Sequence, residues 1–186
     1  YWLLIFYPIL ASLAPIRTNY SLNLLNLTIF AVFAILIIGL RFEVGGDWFS
    51  YLIYLENAGY ISFDRILISS DPGYVLINWI SSSLGLGIAG VNLFGGSVFI
   101  FGLLRFCIRQ PLPWLGLLVA TPYLLIVVGM GYSRQSIAIG FALIALSIWN
   151  EKNIIKFIML ISLAALFHKS AAILFPLAFF IETKRN

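Results

Sequence analysis

Seven apolar runs, at residues 1–16, 22–40, 88–108, 112–130, 134–150, 153–167 and 170–182, constrain this chain more than any motif in it. A bilayer-crossing helix needs about 20 apolar residues, with about 17 still workable. Of the 186 residues, 62% are hydrophobic and 10% charged, whereas a soluble domain is nearer half apolar and a quarter charged. The sequence therefore predicts an all-α, polytopic transmembrane protein, with residues 1–186 forming one transmembrane domain. The last two runs are short and divided by His168-Lys169. One helix over 153–182 would reach roughly 45 Å, well beyond a hydrocarbon core of about 30 Å. Two short helices meeting at a His168 turn fit better.

Both ends read as cut. Residue 1 is a tyrosine inside an apolar run, and TKRN follows the last run directly, so the chain is expected to be part of a longer membrane protein. The first run has no charged leader and no small-residue cleavage site, which makes it a truncated span and not a signal peptide. The single cysteine, Cys107, excludes an intramolecular disulfide and reads as helix packing. No Cys/His cluster has zinc spacing, so neither a metal nor a cofactor is expected. A net charge of +4, scattered over the turns, does not suggest nucleic acid.

Lys and Arg concentrate on the cytoplasmic side of membrane proteins. With the Arg17 turn placed there, alternation brings Arg105, Arg109, Lys152, Lys156, Lys184 and Arg185 to the same side. Arg41, Arg65, Arg134 and Lys169 fall outside. Seven cations less Glu151 and Glu182 leave +5 inside, and four cations less five carboxylates leave −1 outside. Every connection agrees with this orientation. The active face is then periplasmic or extracellular.

The long outer loop, 41–87, is the main polar interruption, and Glu43, Asp47, Glu56, Asp64 and Asp71 lie in it. Trp48, Tyr51, Leu52 and Leu55 follow i, i+3, i+4, i+7 spacing, predicting a short helix lying in the outer interface from Asp47 to about Asn57. A second begins at Asp71-Pro72, an Asp N-cap followed by proline at the first helical position.

Topology places the candidate site residues at one face. Arg41 leaves the second run, before Gly45-Gly46-Asp47; Asp71 opens the second loop helix; Arg134-Gln135 opens the fifth run; His168-Lys169 joins the last two. Each has a plain structural reading beside the functional one. Arg41 and Arg134 suit interfacial anchors, Asp47 and Asp71 suit helix caps, and His168 suits a packed turn. Glycines before Asp47 suit relief of backbone strain. Together they suit a lipid-linked phosphate or diphosphate better than a water-soluble substrate. Arginines clamp phosphate oxygens in pairs, and His and Asp are acid–base groups near neutral pH.

At these residues the sequence resembles the EpsG family, within the Wzy-type polysaccharide polymerase group. The resemblance rests on R-x-x-x-G-x-D at Arg41, Gly45 and Asp47, and on Asp71-Pro72-Gly73-Tyr74. It continues in Ser133-Arg134-Gln135 before the small-residue run SIAIGFALIAL, and in Phe167-His168-Lys169-Ser170-Ala171 before Pro176. It implies a GT-C-like membrane glycosyltransferase, independent of nucleotide sugars; no metal need be invoked, since arginines can supply the charge of a divalent ion. Such proteins join oligosaccharide repeat units carried on undecaprenyl diphosphate, during exopolysaccharide, capsule or O-antigen synthesis. A chain-length regulator and a flippase of the same pathway are implied partners, in the bacterial cytoplasmic membrane, and further spans beyond Asn186 are implied too.

In the mechanism this suggests, Arg134 and Arg41 hold the leaving diphosphate, with Gln135, Lys169 and Asp71 as further substrate contacts. Asp47 or His168 takes the proton from the acceptor hydroxyl. Two other readings compete. An O-antigen ligase-like or other membrane transferase would use similar residues. A non-enzymatic flippase or assembly subunit would need a polar path across the membrane, whereas the mid-run positions here are nearly free of charge.

Overall fold

The computed structural model describes residues 1–13, 20–149 and 153–181, and among them every regular element is a helix. The order is α1 (Trp2–Leu13), α2 (Tyr20–Gly39), α3 (Trp48–Ala58), α4 (Phe63–Leu67), α5 (Pro72–Ser83), α6 (Gly87–Ile108), α7 (Pro113–Ala120), a π-helix (Thr121–Gly129), α8 (Ser133–Ser147), α9 (Ile154–Phe167) and a 3₁₀ helix (Lys169–Phe180). A helix occupies each apolar run. Two, Ser21–Gly39 and α6, are long and apolar enough to cross a membrane; the other apolar helices are shorter. The charges assigned inward at Arg17, Glu151, Lys152, Glu182, Lys184 and Arg185 lie outside the described residues.

Two runs depart from α geometry. The 112–130 run begins as α7 and widens to a π-helix at Thr121-Pro122, where proline has no N–H for the α register and its ring crowds the preceding turn. The last run is 3₁₀ over twelve residues, with Pro176 inside. At about 2.0 Å per residue it reaches roughly 24 Å, against roughly 18 Å as an α-helix. Between α9 and this helix, His168 is extended, with φ −155° and ψ 111°.

Contacts give the direction of each helix. Gly39 meets Leu93 and Ile38 meets Gly96, so α2 and α6 are antiparallel. Gly95 meets Ile137 while Gly102 meets Gly140, so α6 and α8 run parallel. Phe141 stacks on Phe167 and Trp149 packs on Phe157, so α8 and α9 are antiparallel. The end of α2, the starts of α6 and α8, and the end of α9 therefore meet at one end of the bundle.

The α6–α8 crossing depends on missing side chains. A Cβ on Gly102 would strike the Gly140 carbonyl oxygen, and one on Gly140 would lie 2.7 Å from the Val98 carbonyl oxygen. Small residues let helix backbones approach this closely. Gly140→Ala should therefore force the helices apart, costing about 1–3 kcal/mol as overpacking does and lowering Tm in detergent. At Gly46 an added Cβ meets nothing within 4 Å, so Gly46→Ala is the matched control. Equal Tm values for the two variants would refute the close crossing.

The loop contains three short helices where the sequence pattern predicts two; α4, at five residues, is too short for periodicity to reveal. The α3 stripe is a packing face and not a free interfacial one. Trp48 and Tyr51 are buried, and Tyr51 and Leu55 join a cluster with Tyr74, Val91, Ile137 and Phe167. Leu52 turns away from it, and the outward side of α3 carries Phe49 and Ile53.

Candidate functional site

At the shared end of the bundle, one carboxylate ties three segments together. Asp71 Oδ2 lies 3.1 Å from Arg134 Nη1, and Asp71 Oδ1 accepts from the Lys169 backbone N–H at 3.3 Å. The sequence predicts Asp71 as the cap of its own helix, α5, but no side-chain capping bond forms there. Its carboxylate instead satisfies a first-turn N–H of the 3₁₀ helix, one of the donors that a helix start leaves unpaired. Pro72 starts α5, and the next residue, Gly73, lets the helix sit against Leu166 and Phe167 of α9. The Asp71-Pro72-Gly73 segment thus docks α5 onto α9 while its carboxylate reaches α8.

Arg134 is only partly covered: its side chain is 25% exposed, against 7% for Asp71. The guanidinium also stands 5.0 Å from the centre of the Tyr54 ring, and Nη1 donates to the Tyr54 hydroxyl at 3.3 Å. Both bonds use the same nitrogen, and the Tyr51 hydroxyl is a further hydrogen-bond partner of the side chain. Tyr51 and Tyr74 pack beside it, their rings 5.7 Å apart. Burial pushes both hydroxyls above the ordinary tyrosine range, so they remain protonated at neutral pH.

Arg41 lies deeper, 8% exposed. Its Nη1 donates to the Gly129 carbonyl oxygen at 2.9 Å, and its Nη2 to Asn92 Oδ1 at 2.9 Å and Ser133 Oγ at 2.6 Å. Ser133 Oγ in turn donates to Asn92 Oδ1 at 3.0 Å. Among the described residues no carboxylate pairs with Arg41. Burial lowers its pKa to about 10, which still leaves it charged near neutral pH. The widened π-turn ends at Gly129, whose carbonyl accepts from this guanidinium. Arg41 therefore clamps both ends of the 129–133 turn that presents Arg134. Beside that turn, Gly45 has φ +100°, and a Cβ there would lie 2.6 Å from Gly131 Cα. Glycine is required at 45 both by conformation and by space.

The remaining candidates divide around this centre. Asp47 precedes α3 without a side-chain capping bond, and its charge acts on Tyr51. Among the described residues its carboxylate has no ion pair. Gln135 and His168 line one groove between α8 and the 3₁₀ helix. His168 Nδ1 is buried with no hydrogen-bond partner among the described residues. Lys169 joins the centre through its backbone, while its side chain is exposed. So Asp71, Arg134 and the Lys169 backbone are brought into contact, Arg41 supports them from beneath, and Asp47 and His168 flank them. Among the described residues, no three His, Cys, Asp or Glu side chains group as metal ligands.

Sequence reasoning did not single out Tyr54, Asn92 or Ser133 as working parts of this site. Tyr54 lies one helical turn after Tyr51 on α3, which was a usable signal. Asn92 was a legible anomaly too, a polar residue inside an apolar run, where such groups usually have partners. A family model described as the EpsG family matches residues 24–186. No curated protein and no solved structure matches the chain.

Proposed function

The chain belongs to the EpsG family, a Wzy-type polysaccharide polymerase family, and from that membership we propose that it joins oligosaccharide repeat units carried on undecaprenyl diphosphate. The reaction takes place at the outer face of the bacterial cytoplasmic membrane, in a polytopic, GT-C-like arrangement of helices. Its products are exopolysaccharide, capsule or O-antigen. A chain-length regulator and a flippase of the same pathway are its partners.

The observation that carries this reading is Arg134: one-quarter exposed, and set where α3, α5, α8 and the 3₁₀ helix meet. An acceptor hydroxyl attacks the anomeric carbon of the donor saccharide. The bond from that carbon to the phosphate oxygen breaks, and the diphosphate leaves with the bonding electrons. Arg134 acts where this negative charge develops. Asp47 or His168 takes the proton from the attacking hydroxyl. Arg41 serves by fixing the 129–133 turn, Gln135 and Lys169 edge the substrate, and Asp71 holds Arg134 until the diphosphate competes for it. The arginine supplies positive charge that a divalent ion would otherwise bring, and the donor is lipid-linked, so the proposal requires neither metal nor nucleotide sugar.

The product tests the reading. Purified protein in nanodiscs, given a lipid-linked repeat unit, should yield a ladder of chain lengths. A single transfer to another lipid would point to a ligase-like enzyme. Movement of the lipid between leaflets without a new bond would indicate a flippase.

A further inference from the structure

At the end of the bundle away from Arg134, α6 and α9 both pack on α8 and leave a trough of about 370 Å³. To its lining α8 contributes Ile144, α6 contributes Phe101 and Arg105, and α9 contributes Lys156, Met159 and Leu163. Because α6 runs parallel to α8 and α9 antiparallel to it, the last turn of α6 and the first turn of α9 lie at the same end. Arg105 occupies the former. Lys156 occupies the latter, where its backbone N–H donates to the Asn153 Oδ1 cap at 3.0 Å.

The lining is ordered by polarity. Both cations stand at the outer end of the trough, and the rest of the lining named here is apolar. Phe101 lies one turn before Arg105 on α6, while Met159 and Leu163 follow Lys156 on one face of α9, at i+3 and i+7. An apolar slot therefore runs roughly 10 Å into the bundle, from Lys156 to Leu163. The described carboxylates, from Glu43 to Asp71, all lie in the loop at the other end, so within the described residues this end is the positive one. A larger apolar cleft, around Leu103 and Leu115, has no cation in its lining.

We propose that this trough binds one anionic phospholipid, its phosphate between Arg105 and Lys156 and an acyl chain laid along Phe101, Met159 and Leu163. The site is separate from the Arg134 centre and does not rest on the polymerase reading. In the orientation read from Lys and Arg, this end faces the cytoplasmic leaflet, whose anionic lipids are attracted to basic residues at the membrane surface. A covering protein helix would have to supply acids for two desolvated cations. A lipid headgroup brings negative charge at the depth where long cationic side chains reach the interface. The acyl chain gains no hydrophobic free energy by leaving lipid for the slot. Selectivity therefore comes from the headgroup, with each cation contributing about fivefold in affinity.

Two measurements test this. A photo-cross-linking amino acid at Met159, 59% exposed in the trough, should label tritiated phosphatidylglycerol held as a minor component of phosphatidylcholine nanodiscs. The same group at Val119, 73% exposed in the cleft without a cation, should label it far less. Combining Arg105→Gln with Lys156→Gln should lower labelling at Met159 on the order of 25-fold at subsaturating lipid. Arg105→Lys alone should keep most of it, since a point charge still meets a phosphate. Unlabelled phosphatidylglycerol should compete, whereas phosphatidylethanolamine and inorganic phosphate should not. Equal labelling at the two positions, labelling indifferent to the double variant, or competition by inorganic phosphate would each overturn the assignment. So would a cross-link to protein alone, which gives the trough to another segment or copy of the chain, or stronger competition by undecaprenyl phosphate, which gives it to the carrier. Secondly, phosphatidylglycerol should raise the Tm of the unaltered protein above its value in phosphatidylcholine, as a ligand bound by the folded state does. The double variant should lose that rise; a rise retained in full would place the lipid elsewhere and overturn the site.

Discussion

Arg134→Ala is expected to reduce polymerisation by about 10²–10³-fold, the scale seen when one transition-state charge stabiliser is removed. The loss should fall on kcat, because in the proposed mechanism Arg134 meets the diphosphate most strongly as its charge develops. Arg134→Lys should recover only a small part. An ammonium is a point charge; it does not hold two phosphate oxygens in parallel, nor match the planar guanidinium that stands 5.0 Å from the centre of the Tyr54 ring. Removing Arg134 also strips Asp71 of its ion-pair partner, so some stability is lost as well. The double variant Arg134→Ala with Asp71→Asn separates the two effects. An asparagine oxygen still accepts from the Lys169 N–H without a buried charge, so Tm should return toward that of the unaltered protein while activity stays lost. Activity returning together with Tm would make Arg134 a structural residue and remove it from the chemistry.

Arg41→Ala should behave in the opposite sense, with instability as its primary defect. Three bonds end on this guanidinium, two of them to Asn92 and Ser133 side chains inside the bundle. Hydrogen bonds to charged groups contribute about 1.5–3 kcal/mol each and are not additive; because alanine also removes a buried charge that no described carboxylate offsets, a net loss of about 2–4 kcal/mol is expected. For a chain of this size, that lowers Tm on the order of 10 °C. Arg41→Lys should recover less than half of the loss, because one ammonium cannot span acceptors on α6, on α8 and at Gly129. Activity should fall with the fraction folded and recover at low temperature. A variant with unaltered Tm but no activity would place Arg41 in direct contact with substrate.

These two arginines looked alike in the sequence, each at the end of an apolar run. Their difference arises from packing. Arg41 meets Asn92, 51 residues away, and Ser133, 92 residues away, and no local pattern specifies which helix supplies those acceptors. Asp71 illustrates the same limit. An Asp before a proline announces a helix start correctly, yet its oxygens serve another helix start, at Lys169, and the cation at Arg134. Tyr54 escaped notice because its role depends on α3 lying against α5, which brings the ring under Arg134.

What the sequence determined by itself was the helical class, the position of the helices in the apolar runs and of those starting at Trp48 and Pro72, and the polar residues worth testing. The cost of burying peptide groups in an apolar run and the 3.6-residue period are both local, so they are legible residue by residue. The tertiary structure alone decided that Arg41 is a buried clamp, that Arg134 stays partly open, and that Asp71 joins α5, α8 and the 3₁₀ helix. Those outcomes depend on helix register, set where backbones touch at Gly102 and Gly140 and where Gly45 meets Gly131. Contacts of that kind join positions far apart in the chain, and only packing brings them together.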